Sequence, residues 1–251
     1  MMSDQKVALI TGGMGGIGVY IARKLADEGN QVIVTYNSGG ANSERAQHWL
    51  AEQEAQGYRF DALFCNVSDF DSCKEMIDDI TSRYGQIDIL VNNAGITRDA
   101  QLKKMSQDAW QAVMQTNLDS VFNMTRNVIN TMIDHGYGRI INISSINGQK
   151  GQFGQANYSA AKAGMHGFTK ALAQEVARKG ITVNTISPGY IGTDMVMAIR
   201  EDIREQIIAG IPVGRLGKPE EIAKAVAYLA CEEAGFITGS NLAINGGQHM
   251  C

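Results

Sequence analysis

Val7-Ala-Leu-Ile-Thr-Gly-Gly-Met-Gly-Gly-Ile-Gly18 decides the architecture of this chain. The four apolar residues read as a buried strand, and the pattern that starts at Gly16 reads as a helix. A run of glycines stands between them. Glycine lets the chain turn tightly and lets a pyrophosphate come close to the backbone. The helix that follows offers unpaired N–H groups and the positive end of its dipole. A plain strand-to-helix turn needs no such density of glycine.

The same alternation continues outward from this stretch. Apolar, strand-like runs stand at residues 31–36, 60–65, 87–91, 139–143, 181–186 and 241–244. Helical patterns lie between them at 16–28, 43–55, 70–84, 107–134, 156–179 and 220–229, with a weak point in the long one near Asn117. Strands alternating with helices pair in parallel through right-handed crossovers. The strands are apolar on both faces, as a sheet covered by helices on both sides requires. The pattern predicts one α/β domain over residues 1–251, a doubly wound parallel sheet of about seven strands. The segment 188–212 carries Pro188, Gly189, Gly192 and Pro212 and little periodicity, and is expected to be an irregular, mobile lid over a substrate.

Composition narrows the function. With 251 residues the chain can bury a large core, and its net charge of -4 argues against a nucleic-acid surface as its main business. Cys65, Cys73, Cys231 and Cys251 show no metal-ligand spacing and read as reduced thiols of a cytoplasmic protein. No apolar run suits a membrane span, and the N-terminal residues lead straight into the first strand without a signal-like segment.

The chemistry is concentrated in Tyr158-Ser-Ala-Ala-Lys162. On a helix, i and i+4 share a face. A phenol near pKa ~10 is a poor acid at neutral pH, and a nearby ammonium lowers that value. The pair suits proton exchange with a carbonyl/alcohol couple, although an exposed helix face can show the same spacing. Taken with the other motifs, the chain resembles the short-chain dehydrogenase/reductase family. Gly12, Gly16 and Gly18 match the family glycines, Asn92-Asn-Ala-Gly95 the motif after the fourth strand, and Asn117, Ser145, Tyr158 and Lys162 the catalytic tetrad. Pro188-Gly189 and Thr193 match the segment that closes over nicotinamide.

This resemblance implies a Rossmann-type fold and a carbonyl reductase. Tyr158 would be the proton donor, and Lys162 would lower its pKa and contact the nicotinamide ribose. Ser145 would stabilise charge on the carbonyl oxygen, with Ser144 as a competing hydroxyl. Asn117 would hold a water of the proton path, or serve as a helix-kink residue bonded to backbone. The implied dinucleotide site takes in Gly12, Gly13, Met14, Gly15, Gly16, Ile17, Gly18, Asn93, Ala94, Gly95, Pro188, Gly189, Ile191 and Thr193, together with Tyr158 and Lys162. Asn66-Val67 stands where relatives often place Asp-Val against the adenine.

The second strand ends Thr35-Tyr36-Asn37-Ser38, with no carboxylate for a ribose 2′-hydroxyl. Asn37, Ser38 and Arg45 are placed to take a 2′-phosphate, which favours NADPH, although Met14 stands where some NADP-using relatives carry a basic residue. Within the family, the loop from Ser145 to Tyr158 resembles that of acetoacetyl-CoA reductases of polyhydroxybutyrate synthesis. Gln149, Gln152 and Tyr190 match acyl-pocket positions there, although the glutamines could simply hold the loop. Arg98, Lys103, Lys104 and Lys150 are expected at the cleft rim to meet coenzyme A phosphates.

The sister activity, 3-oxoacyl-[acyl-carrier-protein] reductase, is the alternative. Met132–Gly138 lacks the basic charge an acidic carrier would want, whereas Lys179 supplies some. A dinucleotide-sensing protein without turnover would tend to lose Tyr158 or Lys162. The family commonly forms homotetramers; residues 107–134 and 156–179 carry surplus apolar surface, including Val113, Met114, Val121, Phe122, Met165 and Phe168, and some of it is expected to pack against a second copy.

Overall fold

Strand β1, Val7–Ile10, is buried along its whole length, and its side chains alternate between two cores. Ala8 and Ile10 face one core, Val7 and Leu9 the other. That period of two is what a strand covered on both faces must show. The structure, a computed structural model, describes residues 5–40 and 42–250. Residues 1–4, which include most of the N-terminal lead, and Cys251 lie outside the described residues.

The other strands are β2 (Gln31–Tyr36), β3 (Asp61–Phe64), β4 (Ile89–Asn92), β5 (Gly138–Ile143), β6 (Ile181–Pro188) and β7 (Asn241–Ile244). They form one seven-stranded sheet in the order β3-β2-β1-β4-β5-β6-β7, parallel throughout. Helices α1 (Ile17–Asp27), α2 (Glu44–Ala55) and α10 (Pro219–Ala230) supply Leu25, Trp49 and Val226 to one face. Helices α3 (Phe70–Tyr84), α5 (Ser120–His135) and α7 (Ala156–Val176) supply Ile80, Met124 and Val176 to the other. Each fully buried side chain of this size contributes about 1.5–3 kcal/mol. Strand order reverses between β1 and β4, so a crevice opens beyond their C-terminal ends, where sheets of this kind bind ligands.

The long predicted helix is α4 (Gln107–Met114), a π-helical turn (Gln115–Asp119) and α5 in succession. The predicted weak point is thus a local change of winding around Asn117. The segment 188–212 departs from the irregular course expected of it. It holds α8 (Asp194–Met197) and α9 (Glu201–Ala209), neither with a side-chain cap to announce it. Helix α6 (Ile146–Lys150) was likewise too short to leave a periodic signal. The expected intersubunit surface also needs correction. Val113, Val121 and Met165 are at most 1% exposed and fill the chain's own interior. Val113 on α4 and Met165 on α7 belong to elements that pack against each other within the chain. Of the residues named for that surface, Met114 and Phe168 are half-buried and Phe122 is 51% exposed.

A buried polar ladder crosses the C-terminal half of the sheet. Asn92 Nδ2 donates to Asn142 Oδ1 at 2.8 Å, and Asn142 Nδ2 to Thr169 Oγ1 at 2.8 Å. Thr185 Oγ1 donates to the same Thr169 oxygen at 2.8 Å. These bonds tie β4, β5 and β6 to α7 just beneath the site. Asn142→Leu should strand buried partners and cost about 1–3 kcal/mol. Chemical denaturation measures it, and a variant as stable as the parent would show that the ladder carries no net stability.

Candidate active site

The turn after β1 is stitched to the turn after β4 through Thr11. Its Oγ1 accepts from the backbone N–H groups of Asn93 (2.9 Å) and Ala94 (3.0 Å). Asn93 Nδ2 in turn donates to the carbonyls of Thr11 (3.0 Å) and Gly12 (3.2 Å). Gly12 and Gly16 have φ of +62° and +55°, a region that favours glycine. A Cβ at Gly13 would lie 2.5 Å from Val34 Cγ1, and one at Gly18 2.6 Å from the Gly12 carbonyl oxygen.

Gly15 and Gly16 differ from these packing glycines. Both are exposed, and a Cβ on either would meet nothing within 4 Å. Gly16 caps α1 without any side-chain hydrogen bond. Gly18 N–H bonds the Gly15 carbonyl at 3.0 Å, and no side chain caps the N-terminus of α1 or covers the bare backbone of Gly15 and Gly16, which fits the pyrophosphate of a dinucleotide. Met14 and Ile17 are half-buried and lean on the core below.

Farther along this edge, Thr35 Oγ1 accepts from Gly12 N–H at 3.2 Å, so the end of β2 braces the loop. Asn37, Ser38 and Arg45 are exposed beyond it, and no acid stands between Thr35 and Ser38. Asn66 Oδ1 accepts from Ser68 N–H at 3.3 Å, and Val67 is buried with its carbonyl bonded to Asn123 Nδ2 at 3.0 Å. Asn66 therefore shapes its own turn first.

The end of β5 organises the reactive groups. Ile143 accepts Lys162 Nζ on its main-chain oxygen at 2.7 Å. Ser144 Oγ donates to the main-chain oxygen of Lys162 at 2.8 Å. Ser145 caps α6, accepting Asn147 N–H at 3.1 Å, and its side chain also hydrogen-bonds Tyr158. Ser144 is thus buried and committed to structure, and Ser145 is the hydroxyl that meets the phenol. Lys162 is 3% exposed, with Nζ 5.7 Å from the centre of the Tyr158 ring.

Burial sets both pKa values. It pushes the Tyr158 phenol up, against the hydrogen bond with Ser145, and the Asp99 carboxylate pushes it further the same way. Burial lowers the Lys162 ammonium to about 7. The expected lowering of Tyr158 by Lys162 is therefore not realised in the protein by itself. A partly neutral amine set back from the hydroxyl exerts little pull, and desolvation of the phenolate dominates.

Asn117 is fully buried in the π turn, its Oδ1 accepting Ile96 N–H at 2.8 Å and its Nδ2 donating to Ile96 O at 2.9 Å. This is the helix-kink arrangement, with the side chain bonded to backbone. A Cβ on Gly95 would lie 3.3 Å from Asn117 Oδ1, a tight contact, and 3.6 Å from Lys162 Nζ, an ordinary one.

Beside the N-terminal end of α7, a groove of about 370 Å³ runs between residues 100–103 and 152–156. Leu102, Lys103, Gln152 and Phe153 line it. Ala100 N–H bonds the Gly154 carbonyl at 2.8 Å and holds its two walls together. Lys150 Nζ donates to Gln152 Oε1 at 3.3 Å, so it stands close to the groove. Gln149 and Tyr190 are half-buried. Arg98 and Lys104 are exposed, and the Arg98 guanidinium bonds the neighbouring Thr97 carbonyl at 2.8 Å.

Pro188 ends β6, and a Cβ on Gly189 would strike Asn245 Cα at 2.8 Å. Ile191 is buried in the core and pairs with Gly217, while half-buried Thr193 opens α8. The sequence reading missed Asn157. Fully buried, it donates to the carbonyls of Arg98 (3.0 Å) and Ala109 (3.3 Å) and accepts Tyr158 N–H at 2.8 Å. Its place just before Tyr158 was the one available signal.

Lys162 makes stability depend on pH. Its folded pKa of about 7 lies below the ordinary 10.5, so between these values the unfolded chain binds more protons. Its destabilising effect is full below about pH 7 and fades as pH rises toward 10.5. Lys162→Met should therefore gain melting temperature relative to the parent at pH 6, and lose that advantage by pH 10. Parallel pH dependences of the two melting curves would refute a depressed pKa.

Residues 12–249 match the family described as enoyl-(acyl carrier protein) reductase. An acetoacetyl-CoA reductase of Cupriavidus necator is 57% identical over 98% of this chain and 99% of its own length. Nodulation protein G of Azospirillum brasilense is 59% identical over 97% and 98%, respectively. A 3-oxoacyl-[acyl-carrier-protein] reductase of Vibrio cholerae is 46% identical over the whole of both chains.

Proposed function

The chain belongs to the short-chain dehydrogenase/reductase family, and from that membership we propose that it reduces the 3-keto group of acetoacetyl-CoA to (R)-3-hydroxybutyryl-CoA with NADPH, feeding polyhydroxybutyrate synthesis. The observation that carries this reading is the convergence of Ser145, Tyr158 and Lys162 at the end of β5. A reduced nicotinamide dinucleotide, when bound on the glycine turn, supplies the hydride.

Tyr158 is kept protonated by burial and gives its proton to the carbonyl oxygen. Ser145 Oγ stabilises charge gathering on that oxygen. Lys162, with a pKa near neutrality, is suited to return a proton to the phenolate. Asn117, whose side chain is bonded to Ile96, is read as the residue that holds the water refilling this path.

The absence of an acid at residues 35–38 and the exposed Ser38, Asn37 and Arg45 support NADPH. The groove beside Gln152, with Lys103 on its wall and Lys150 near it, supports a phosphorylated acyl handle. Segment 188–212 is read as the cover of this cleft, presenting exposed Met195 on α8. A cytoplasmic homotetramer completes the reading, with Phe70 and Phe122, ring centres 6.2 Å apart, as one contact between copies. The likeness to the carrier-protein reductase keeps 3-oxoacyl-[acyl-carrier-protein] reduction as the second reading.

Tyr158→Phe should retain dinucleotide binding and lose about 10²–10⁴-fold in kcat. Near-normal turnover would remove Tyr158 from the mechanism. The handle is tested by kcat/KM for acetoacetyl-CoA against an acetoacetyl carrier protein, each with NADPH and NADH. Preference for the carrier protein would move the assignment to the second reading. Neutralising Lys103 and Lys150 together should raise KM for the CoA thioester and leave kcat nearly intact, as lost uniform binding does. A ketone ester without phosphate should be indifferent to the pair. Equal losses for ester and thioester would mean these lysines do not read the handle.

A further inference from the structure

One half-buried histidine outside the tetrad is bonded to two residues that close the site from below. His166 lies on α7 one turn after Lys162. Its Nε2 is 3.0 Å from Ser144 Oγ and 3.3 Å from Ser187 Oγ. A hydroxyl has a single proton. That of Ser144 goes to the Lys162 carbonyl at 2.8 Å, and that of Ser187 to Asn241 Oδ1 at 2.7 Å. Both serine oxygens are left to accept, so Nε2 must carry the hydrogen. Burial and, behind it, the Lys170 charge hold the ring pKa below its ordinary value, which favours the neutral ring.

The elements joined in this way are those that carry the chemistry. Ser144 stands between Ile143, which holds Lys162 Nζ, and Ser145, which meets Tyr158. Its own N–H is bonded to the Ile186 carbonyl at 2.7 Å. Ser187 immediately precedes Pro188-Gly189, and Asn241 opens β7. One ring nitrogen therefore links α7, β5 and β6, and through Ser187 reaches β7.

We propose that His166 is a positioning residue for the reduction, donating Nε2–H to Ser144 and Ser187 and so fixing Lys162 and Ser145 relative to the loop after β6. The proposal rests on reading Tyr158, Ser145 and Lys162 as the reacting constellation. It assigns His166 no contact with substrate or cofactor.

The test uses the full-length enzyme with NADPH and acetoacetyl-CoA. His166→Phe keeps a ring and loses the donor, and kcat should fall about ten-fold with both KM values little changed, because small displacements of reacting groups lower the chemical step. His166→Gln presents a side-chain N–H and should recover most of that loss. Ser144→Ala should show the same fall, and the double variant His166→Phe/Ser144→Ala should be little slower than either single one, since the two residues act through one bond. If His166→Phe does not fold, the glutamine and Ser144→Ala variants carry the test.

Nitrogen-15 spectra of histidine-labelled protein, assigned with His166→Gln, should show the hydrogen on Nε2. Normal kcat in His166→Phe or Ser144→Ala would overturn the proposal. So would a properly folded glutamine variant as slow as the phenylalanine one, or a hydrogen on Nδ1. The tautomer readout does not depend on the reaction. Full turnover by Tyr158→Phe would sink the catalytic reading and leave the spectrum standing, so the two failures are separable.

Discussion

The Lys162 ammonium buried on the main-chain oxygen of Ile143 is the contact on which the site depends. A cation in a dry interior is expensive unless it is hydrogen-bonded, and even then its pKa moves toward neutrality. Here burial lowers the ammonium to about 7, far from the ordinary lysine value. Everything nearby serves to keep that ammonium in place. Ser144 holds its main chain, and the polar ladder through Asn142 and Thr169 anchors α7 to the sheet below.

The glycine turn follows β1 on one side of the switch point, and the reactive pair, on α7, is held at the end of β5 on the other side. Thr11 and Asn93 join the turn after β1 to the turn after β4, and β5 lies next to β4. A parallel sheet brings all these strand ends to one edge, so residues spread from Gly12 to Gly189 stand along the same edge. The glycines divide by task. Gly13 and Gly18 are required because side chains would collide with Val34 or with backbone, whereas Gly15 and Gly16 leave the N-terminus of α1 uncovered.

Much of this was legible in the residues. β2, β7 and α3 run over the residues their patterns mark, because alternation and helical spacing reflect burial directly. The kink at Asn117 showed as a break in periodicity. The helices of segment 188–212 did not show, since α8 and α9 are short and carry no side-chain caps. Apolar residues such as Val113 and Met165 were expected at a subunit surface because a sequence marks a residue as hydrophobic without saying which neighbour covers it.

The order of strands and helices, the glycine turn, the Tyr158–Lys162 spacing and the lack of an acid after β2 were determined by the sequence alone. They follow from local periodicity and residue chemistry. Only the tertiary structure committed Ser144 to the Lys162 carbonyl, turned Asn117 inward onto Ile96, lifted Tyr158 while lowering Lys162, and placed His166 between two serines. Those outcomes turn on desolvation and on which group takes each hydrogen. Both are set by packing between segments far apart in the chain, so no local pattern records them.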